Sequence, residues 1–552
     1  MQRLLTIVLV TLVASPLAAA PKLGAIASAH PLATEAGFEI LAAGGNACDA
    51  AVAVSAALAV VEPVSSGIGG GAFYLIQLKG GKALFVDARE RAPQSASRDM
   101  YLGEDGKPVR EKSLNGPLAA GIPGEPAGLV QVGKRCGRLG LARNLSPAIR
   151  LATEGFEPDE FHLQMVGMRQ KALAAAPAAA AVFLDQGQPP KAGFRLVQKD
   201  LAATLQRLAR QGQPGFYSGD TARLLVEGVN AAGGAWTLSD LADYRAVERT
   251  PLRGRYHEVE VLTAPPPSSG GVALLTALNI LEGYALNLRD PVTRKHLIVE
   301  AMRRAYRDRA EYLGDPDYVA MPLAMLGSKD YAAGLRAGIR TDQATSSASL
   351  PGAPSGPEGT DTTHFSVVDA AGNIVSATLS VNIPFGSGFM PPGSGVLLND
   401  EMDDFSAKSG SPNAYKLIGS HANAIAPGKR PLSSMTPTIL RRGDAVAVLG
   451  TPGGSRIISM VLLGTLSFAQ GSDDPAEWVT TGRYHHQFSP DVVEYEPQGL
   501  GADDIAGLEK LGHTLQQVNR RYGNMQAIAW QPRTGQMQAA SDPRRKGSAQ
   551  VR

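Results

Sequence analysis

The sequence predicts a layered α/β architecture, and three observations carry that prediction. Helical periodicity dominates residues 141–312, strand signals prevail from Thr362 to about Gly450, and helical stretches near residues 457–469 and 504–511 precede a last strand at residues 525–530. At 552 residues the chain could hold several domains. No repeat of fixed period divides it, and the motif order described below argues for one compact unit.

The elements can be justified in order. Met1-Gln2-Arg3, the apolar run 4–14 and Ser15-Pro16-Leu17-Ala18-Ala19-Ala20 have the three-part layout of a secretory signal cut near residue 20. The run is shorter than the roughly 20 apolar residues a membrane span requires, and no later segment offers that length. An exported protein without a membrane span is expected, periplasmic ahead of extracellular. Residues 33–43 and 47–60 read as helices, with Asn46 and Asp49 as a variant capping box, and Glu62-Pro63 ends the second. Ser65-Ser66-Gly67-Ile68-Gly69-Gly70-Gly71 then leads into a strand at 72–78. That strand pairs with 83–87 across Lys79-Gly80-Gly81-Lys82, and Arg89 follows at once.

The helix-rich half is interrupted near Pro177 and by the turn-rich Pro265-Pro266-Pro267-Ser268-Ser269-Gly270-Gly271. From Thr341 to Asp361 the composition shifts to Ser, Gly, Pro and Ala, a long stretch without regular structure. Residues 362–369 alternate as a half-buried strand, Ala370-Ala371-Gly372-Asn373 is a turn, and 374–382 returns. If the chain is cut before Thr362, the stretch upstream becomes a frayed C-terminus.

Composition excludes several classes. Lys plus Arg number 53 against 51 Asp plus Glu, a net +2, so no electrostatic footprint for nucleic acid is visible and small-molecule chemistry is the better reading. Cys48 and Cys136 lack metal-ligand spacing. Export permits a disulfide between them, but Cys48 inside an apolar helix reads as a buried small hydrophobe. Gly69-Gly70-Gly71 is not followed by the Lys-Ser/Thr of a phosphate loop. His485-His486 on a strand would point to opposite faces with no partner at ligand spacing, so a structural or surface role is expected. Arg544-Arg545-Lys546 reads as a solvated chain end.

Thr362-Thr363, preceded by Ser355-Gly356-Pro357-Glu358-Gly359-Thr360-Asp361, suggests a chemistry. A mid-chain threonine hydroxyl needs a neighbouring base, whereas an N-terminal threonine carries its own α-amine. That amine has an unperturbed pKa of about 7.7–8.0 and suits neutral pH. Alone, Thr362-Thr363 is an ordinary strand start. Arg89 alone is a surface charge, Asp404 a turn acid, Ser433-Ser434 a polar turn and Gly453-Gly454 a bend before a helix.

The ordered set changes this. Gly44-Gly45-Asn46-Ala47, Asp49-Ala50-Ala51-Val52, Ser65 through Gly71, Asp87-Ala88-Arg89-Glu90 and Ala120-Gly121-Ile122-Pro123-Gly124 are followed by Pro266 through Gly271. Asp308-Arg309, Gly314-Asp315-Pro316 and the dense run from Asp361 to Arg456 continue the set. Together they resemble the gamma-glutamyltransferase family of N-terminal-nucleophile hydrolases over essentially the whole mature chain.

The resemblance implies a four-layer αββα sandwich formed by two autoproteolytic fragments, 21–361 and 362–552, after loss of the signal 1–20. Thr362 is then the nucleophile and Asp361-Thr362 the bond cleaved. Ser380 stands where the family usually has an assisting threonine. Arg89, Ser433 and Ser434 match contacts to the donor carboxylate, and Asn382, Glu401 and Asp404 match contacts to its ammonium. Gly453 and Gly454 match oxyanion-hole amides. The segment 406–415 resembles a lid loop with Tyr415 as its bulky contact. No cofactor or metal is implied. The expected partners are glutathione or other γ-glutamyl donors and amino acid or peptide acceptors. A related cephalosporin acylase, whose substrate lacks an α-ammonium, and an uncleaved γ-glutamyl-binding homologue are the competing readings.

Overall fold

A computed structural model describes residues 22–350, 362–407 and 420–552. The signal at 1–20, Asp361 and Tyr415 lie outside the described residues.

Two antiparallel sheets dominate. The seven-stranded sheet runs in the order Ser548–Val551, Gly24–Ser28, Thr363–Asp369, Ile374–Ser380, Gly71–Gln77, Ala83–Ala88, Val247–Arg249. The six-stranded sheet runs Gln536–Ser541, Gln526–Gln531, Ala445–Gly450, Thr438–Arg442, Val259–Thr263, Leu252–Tyr256. Side chains alternate across the first sheet as strand geometry requires. Ile26, Tyr74, Ile76, Val367 and Val375 share a core with helices Pro31–Ala42 and Ala47–Val61. Their neighbours Ala25, Phe73, Leu75, Val368 and Ile374 share another with Ile439, Val446, Val448 and Ile528 of the second sheet. Helices Gly270–Leu281, Pro291–Tyr312 and Arg456–Ala469 contribute Leu274, Met302 and Leu462 to that second core. Among the described residues no helix is long and apolar enough to cross a membrane.

Helix Ala47–Val61 forms where expected. Its run of alanines and valines is buried along its whole length, and Asn46 and Asp49 form the reciprocal capping box. Asp49 does more than cap, since its carboxylate also accepts from the Arg138 and Leu139 N–H groups and the Asn144 amide.

Several expectations need correction. Cys48 is buried, but it is disulfide-bonded to Cys136 across 88 residues of sequence. The long loop between them left no sequence trace of the proximity. Replacing both cysteines with alanine is expected to cost about 2–5 kcal/mol of stability, read as a lower denaturant midpoint, with a steeper slope because the freed unfolded chain exposes more surface.

The basic tail is no solvated end. The Arg544 side chain is buried and paired with Glu496 and Asp542, and strand Ser548–Val551 pairs antiparallel with Gly24–Ser28. The strand at 525–530 is Gln526–Gln531, and it is not the last. Residues 341–350 are anchored rather than frayed. Ala344 N–H donates to Leu511 O, Thr345 N–H to Glu300 and Ser347 N–H to Asp491. Asp491 also gives His486 an acidic partner, at 3.2 Å, that its spacing did not suggest.

Candidate active site

Strand register gathers the predicted residues at one end of the sheets. Thr363 lies opposite Leu379 and Gly71 opposite Ser380, while Ala88, just before Arg89, lies opposite Ala72. In the second sheet Leu449 lies opposite Thr438, which sets Thr451-Pro452-Gly453-Gly454 and Ser433-Ser434 at neighbouring strand ends. Close approach demands glycine here. A Cβ on Gly70 would come within 2.1 Å of the Ser380 carbonyl oxygen. The glycine run is therefore used for chain packing beside the cleft.

The two threonines are buried differently. Thr363 donates its hydroxyl to Glu62 Oε2 at 2.6 Å, on the helix side of the sheet. Thr362 Oγ1 sits 3.4 Å from Ser380 Oγ, and both line a cleft with Arg89, Asn382, Asp404, Ser433, Ser434 and Gly454. Ser380 Oγ also accepts the Asn382 N–H at 2.9 Å. Asn382 adopts φ +80°, a left-handed conformation that asparagine tolerates better than most residues, and its side-chain amide donates to Asp400.

Opposite charges meet beside this hydroxyl. The Arg89 guanidinium, 1% exposed, lies 2.7 Å from Glu401 and 2.5 Å from Asp404, and Nε donates to the Pro431 carbonyl at 3.1 Å. Burial opposes its charge, but Glu401, Glu90 and Asp404 outweigh burial and hold it more firmly protonated than a free guanidinium. Burial pushes the Glu401 carboxyl above the ordinary carboxylate range, against the pull of Arg89. The cation predicted for a carboxylate and the acids predicted for an ammonium thus neutralise one another.

Gly453 and Gly454 take φ +137° and +57°, backbone that a side chain would strain. Among the described residues neither N–H donates a hydrogen bond, and helix Arg456–Ala469 begins immediately after them. The pair is therefore shaped to offer N–H groups to an anion at a helix start. Ser433 and Ser434 are held by the turn 265–271. Ser433 N–H donates to Pro267 O at 2.9 Å and Ser269 N–H to Ser433 O at 2.8 Å.

Sequence reasoning missed two buried acids. Glu90 lies behind Arg89, where burial and Glu401 raise its pKa well above the ordinary value, and Glu62 holds Thr363. Glu90 stood in the Asp87-Ala88-Arg89-Glu90 motif and Glu62 at a helix end, but neither was given a role, because an acid becomes notable only through what it faces. His296, Glu300 and His513 converge closely enough to suggest a metal. Yet His296 and His513 hydrogen-bond each other, and Glu300 is taken up by Arg303, Arg304 and the Thr345 N–H. Two guanidinium groups at the carboxylate disfavour a cation. His485 and His486 are both buried, the first bonded to Ser459 and Gln487.

The fold itself sets the class. It is a mixed α/β fold shared with the cephalosporin acylase from Bacillus halodurans, at a TM-score of 0.85 and 28% identity over 98% of this chain and 99% of that one. The chain belongs to the gamma-glutamyltranspeptidase family, whose sequence profile matches residues 33–551. It is 45% identical over 494 residues to a glutathione hydrolase proenzyme of Pseudomonas sp. (strain A14), covering 89% of this chain and 86% of that protein. It is 41% identical over 528 residues to the glutathione hydrolase proenzyme of Escherichia coli (strain K12), covering 95% and 90%.

Proposed function

We propose that the chain is the precursor of an exported gamma-glutamyltransferase and glutathione hydrolase, cut between Asp361 and Thr362 into fragments 21–361 and 362–552. The two fragments together form an αββα sandwich. The observation that carries this reading is the Thr362 hydroxyl, which shares one cleft with Ser380, the Arg89–Asp404 ion pair and the Gly453-Gly454 turn.

In maturation the Thr362 hydroxyl attacks the Asp361 carbonyl. The C–N bond breaks to free the Thr362 amine, and water hydrolyses the resulting ester. In turnover that amine takes the hydroxyl proton as Oγ1 attacks the γ-carbonyl of the donor. The Gly453 and Gly454 N–H groups stabilise the oxyanion, a contribution of about 2.7–4 kcal/mol for such donors. The leaving amine takes the proton, and the γ-glutamyl ester on Thr362 passes to water or to an amino acid or peptide amine. Arg89, Ser433 and Ser434 hold the donor α-carboxylate, while Asn382, Glu401 and Asp404 hold its ammonium. The donor's own charges thereby exchange with the Arg89 ion pairs to Glu401 and Asp404. No step requires a cofactor.

The test is direct. The exported protein should yield a smaller fragment whose N-terminal residue is Thr362 and should release glutamate from glutathione. An intact single chain by mass spectrometry would overturn the reading in favour of an uncleaved binding protein.

The structural likeness to a cephalosporin acylase supports a second reading, with a glutaryl substrate. Asp404 separates the two. Asp404→Asn should lower kcat/KM for γ-glutamyl amides by about tenfold or more, the scale of one charge-assisted hydrogen bond, and leave glutaryl amides nearly unaffected. Equal losses on both would favour the acylase.

A further inference from the structure

Helix Pro291–Tyr312 buries three arginines whose circumstances differ. Arg303 meets Glu300 and Asp491, and Arg304 meets Glu300. Arg309, 4% exposed, has no carboxylate within ion-pair distance among the described residues. Its neighbour Asp308 is taken by Arg307 at 2.8 Å and by the Tyr331 hydroxyl at 3.1 Å. Arg309 instead donates to two serine hydroxyls, from Nε to Ser269 Oγ at 2.9 Å and from Nη2 to Ser434 Oγ at 3.5 Å. Burial lowers its pKa to about 10, with Asp404 and Tyr306 opposing, so the group remains charged at neutral pH. A buried guanidinium without a counter-ion is costly unless an anion reaches it.

We propose that Arg309 is a positioning residue for the donor α-carboxylate, acting through Ser434 and Ser269 from behind the cleft. The inference rests on the donor reading given above. Ser434 Oγ accepts from Arg309, so its own proton is left to point into the cleft that Ser434 lines. A cation on the oxygen strengthens that O–H as a donor to an anion. Ser269 Oγ, accepting from Arg309 Nε, passes its proton to the Ser433 carbonyl at 2.7 Å and so fixes the neighbouring serine. One guanidinium therefore orients both serines and supplies a second positive charge behind the carboxylate, with Arg89 on the other side. The same field discriminates against donors that lack the α-carboxylate.

The test compares fully processed wild-type enzyme with Arg309→Met, Arg309→Gln and Arg309→Lys on two donors. These are L-γ-glutamyl-p-nitroanilide and 4-aminobutyryl-p-nitroanilide, which lacks only the α-carboxylate. Arg309→Met should raise KM for the first about tenfold or more, the scale of a lost charge-assisted contact, with kcat changed far less. KM for the second should stay at the wild-type value, and Arg309→Lys should recover part of the loss. If Arg309→Met does not mature, Arg309→Gln, which keeps a donor for Ser434 without the charge, and Arg309→Lys decide the matter. KM for the γ-glutamyl donor should then be higher in the Gln variant than in the Lys variant. Equal shifts on both donors, or no shift on the first, would overturn the proposal. A wild-type enzyme that turned over both donors equally well would instead overturn the donor reading itself.

Discussion

Thr362→Ala is expected to leave one uncut, inactive chain. Two functions end together in this variant, because the hydroxyl that opens the Asp361-Thr362 bond is the one that later attacks the donor. Removing the nucleophile of an amide hydrolase costs on the order of 10⁶ in kcat, and the uncut chain also lacks the α-amine that serves as base. The control is Thr363→Ala. Its hydroxyl is committed to Glu62 and faces the helices rather than the cleft, so that variant should still be cut before Thr362 and keep a nucleophile. Denaturing gels and N-terminal sequencing separate the outcomes. A Thr362→Ala chain still cut after Asp361 would sink the assignment.

Arg89→Met is the second large effect, and it should appear in stability as well as activity. Arg89 neutralises Glu401 and Asp404 and opposes the charge on Glu90, and Glu90 and Glu401 are fully enclosed. Removing one partner of a buried pair costs about 3–5 kcal/mol because the other charge is stranded. The pH dependence has a definite sign. Glu90 and Glu401 have folded pKa values raised, chiefly by burial, above that of a free glutamate. The folded state therefore binds more protons than the unfolded chain above the free-glutamate value. The associated stability is present at low pH and is lost as pH rises through the folded values. Without Arg89 both pKa values rise further. The deficit should be largest at pH 8 and smaller at pH 5, measured by denaturant midpoints at the two pH values, and kcat/KM for γ-glutamyl donors should fall at both. A deficit that grows toward acid would contradict this electrostatic account.

Arg89 also shows what a sequence can and cannot convey. Its motif, Asp87-Ala88-Arg89-Glu90, was legible as part of an ordered set, and the family resemblance implied that it and Asp404, 315 positions away, serve the same donor. Its ion pairs with Glu401 and Asp404 were not legible, because ion pairs are made by strand ends that only the sheets bring together. The helix Ala47–Val61 and the strands Gly71–Gln77, Thr363–Asp369 and Ile374–Ser380 lay close to where the local pattern put them, since period and capping are local properties. The two final strands, the buried Arg544 and the Cys48–Cys136 bond were missed for the opposite reason. A short strand of polar residues such as Ser548–Val551 has no signature until Gly24–Ser28 offers it an edge.

The sequence alone determined the family, the central helix and strands and the residues that converge on one cleft, because these reside in residue identity and spacing. Only the tertiary structure decided that Thr363 is tied to Glu62 while Thr362 faces Ser380, and that two fully buried acids crowd Arg89. It also decided that Arg309 stands behind Ser434 with no carboxylate within ion-pair distance among the described residues. The physical reason is the same in each case. Burial and charge depend on which distant segments exclude water from a group, and that is a property of packing rather than of the local chain.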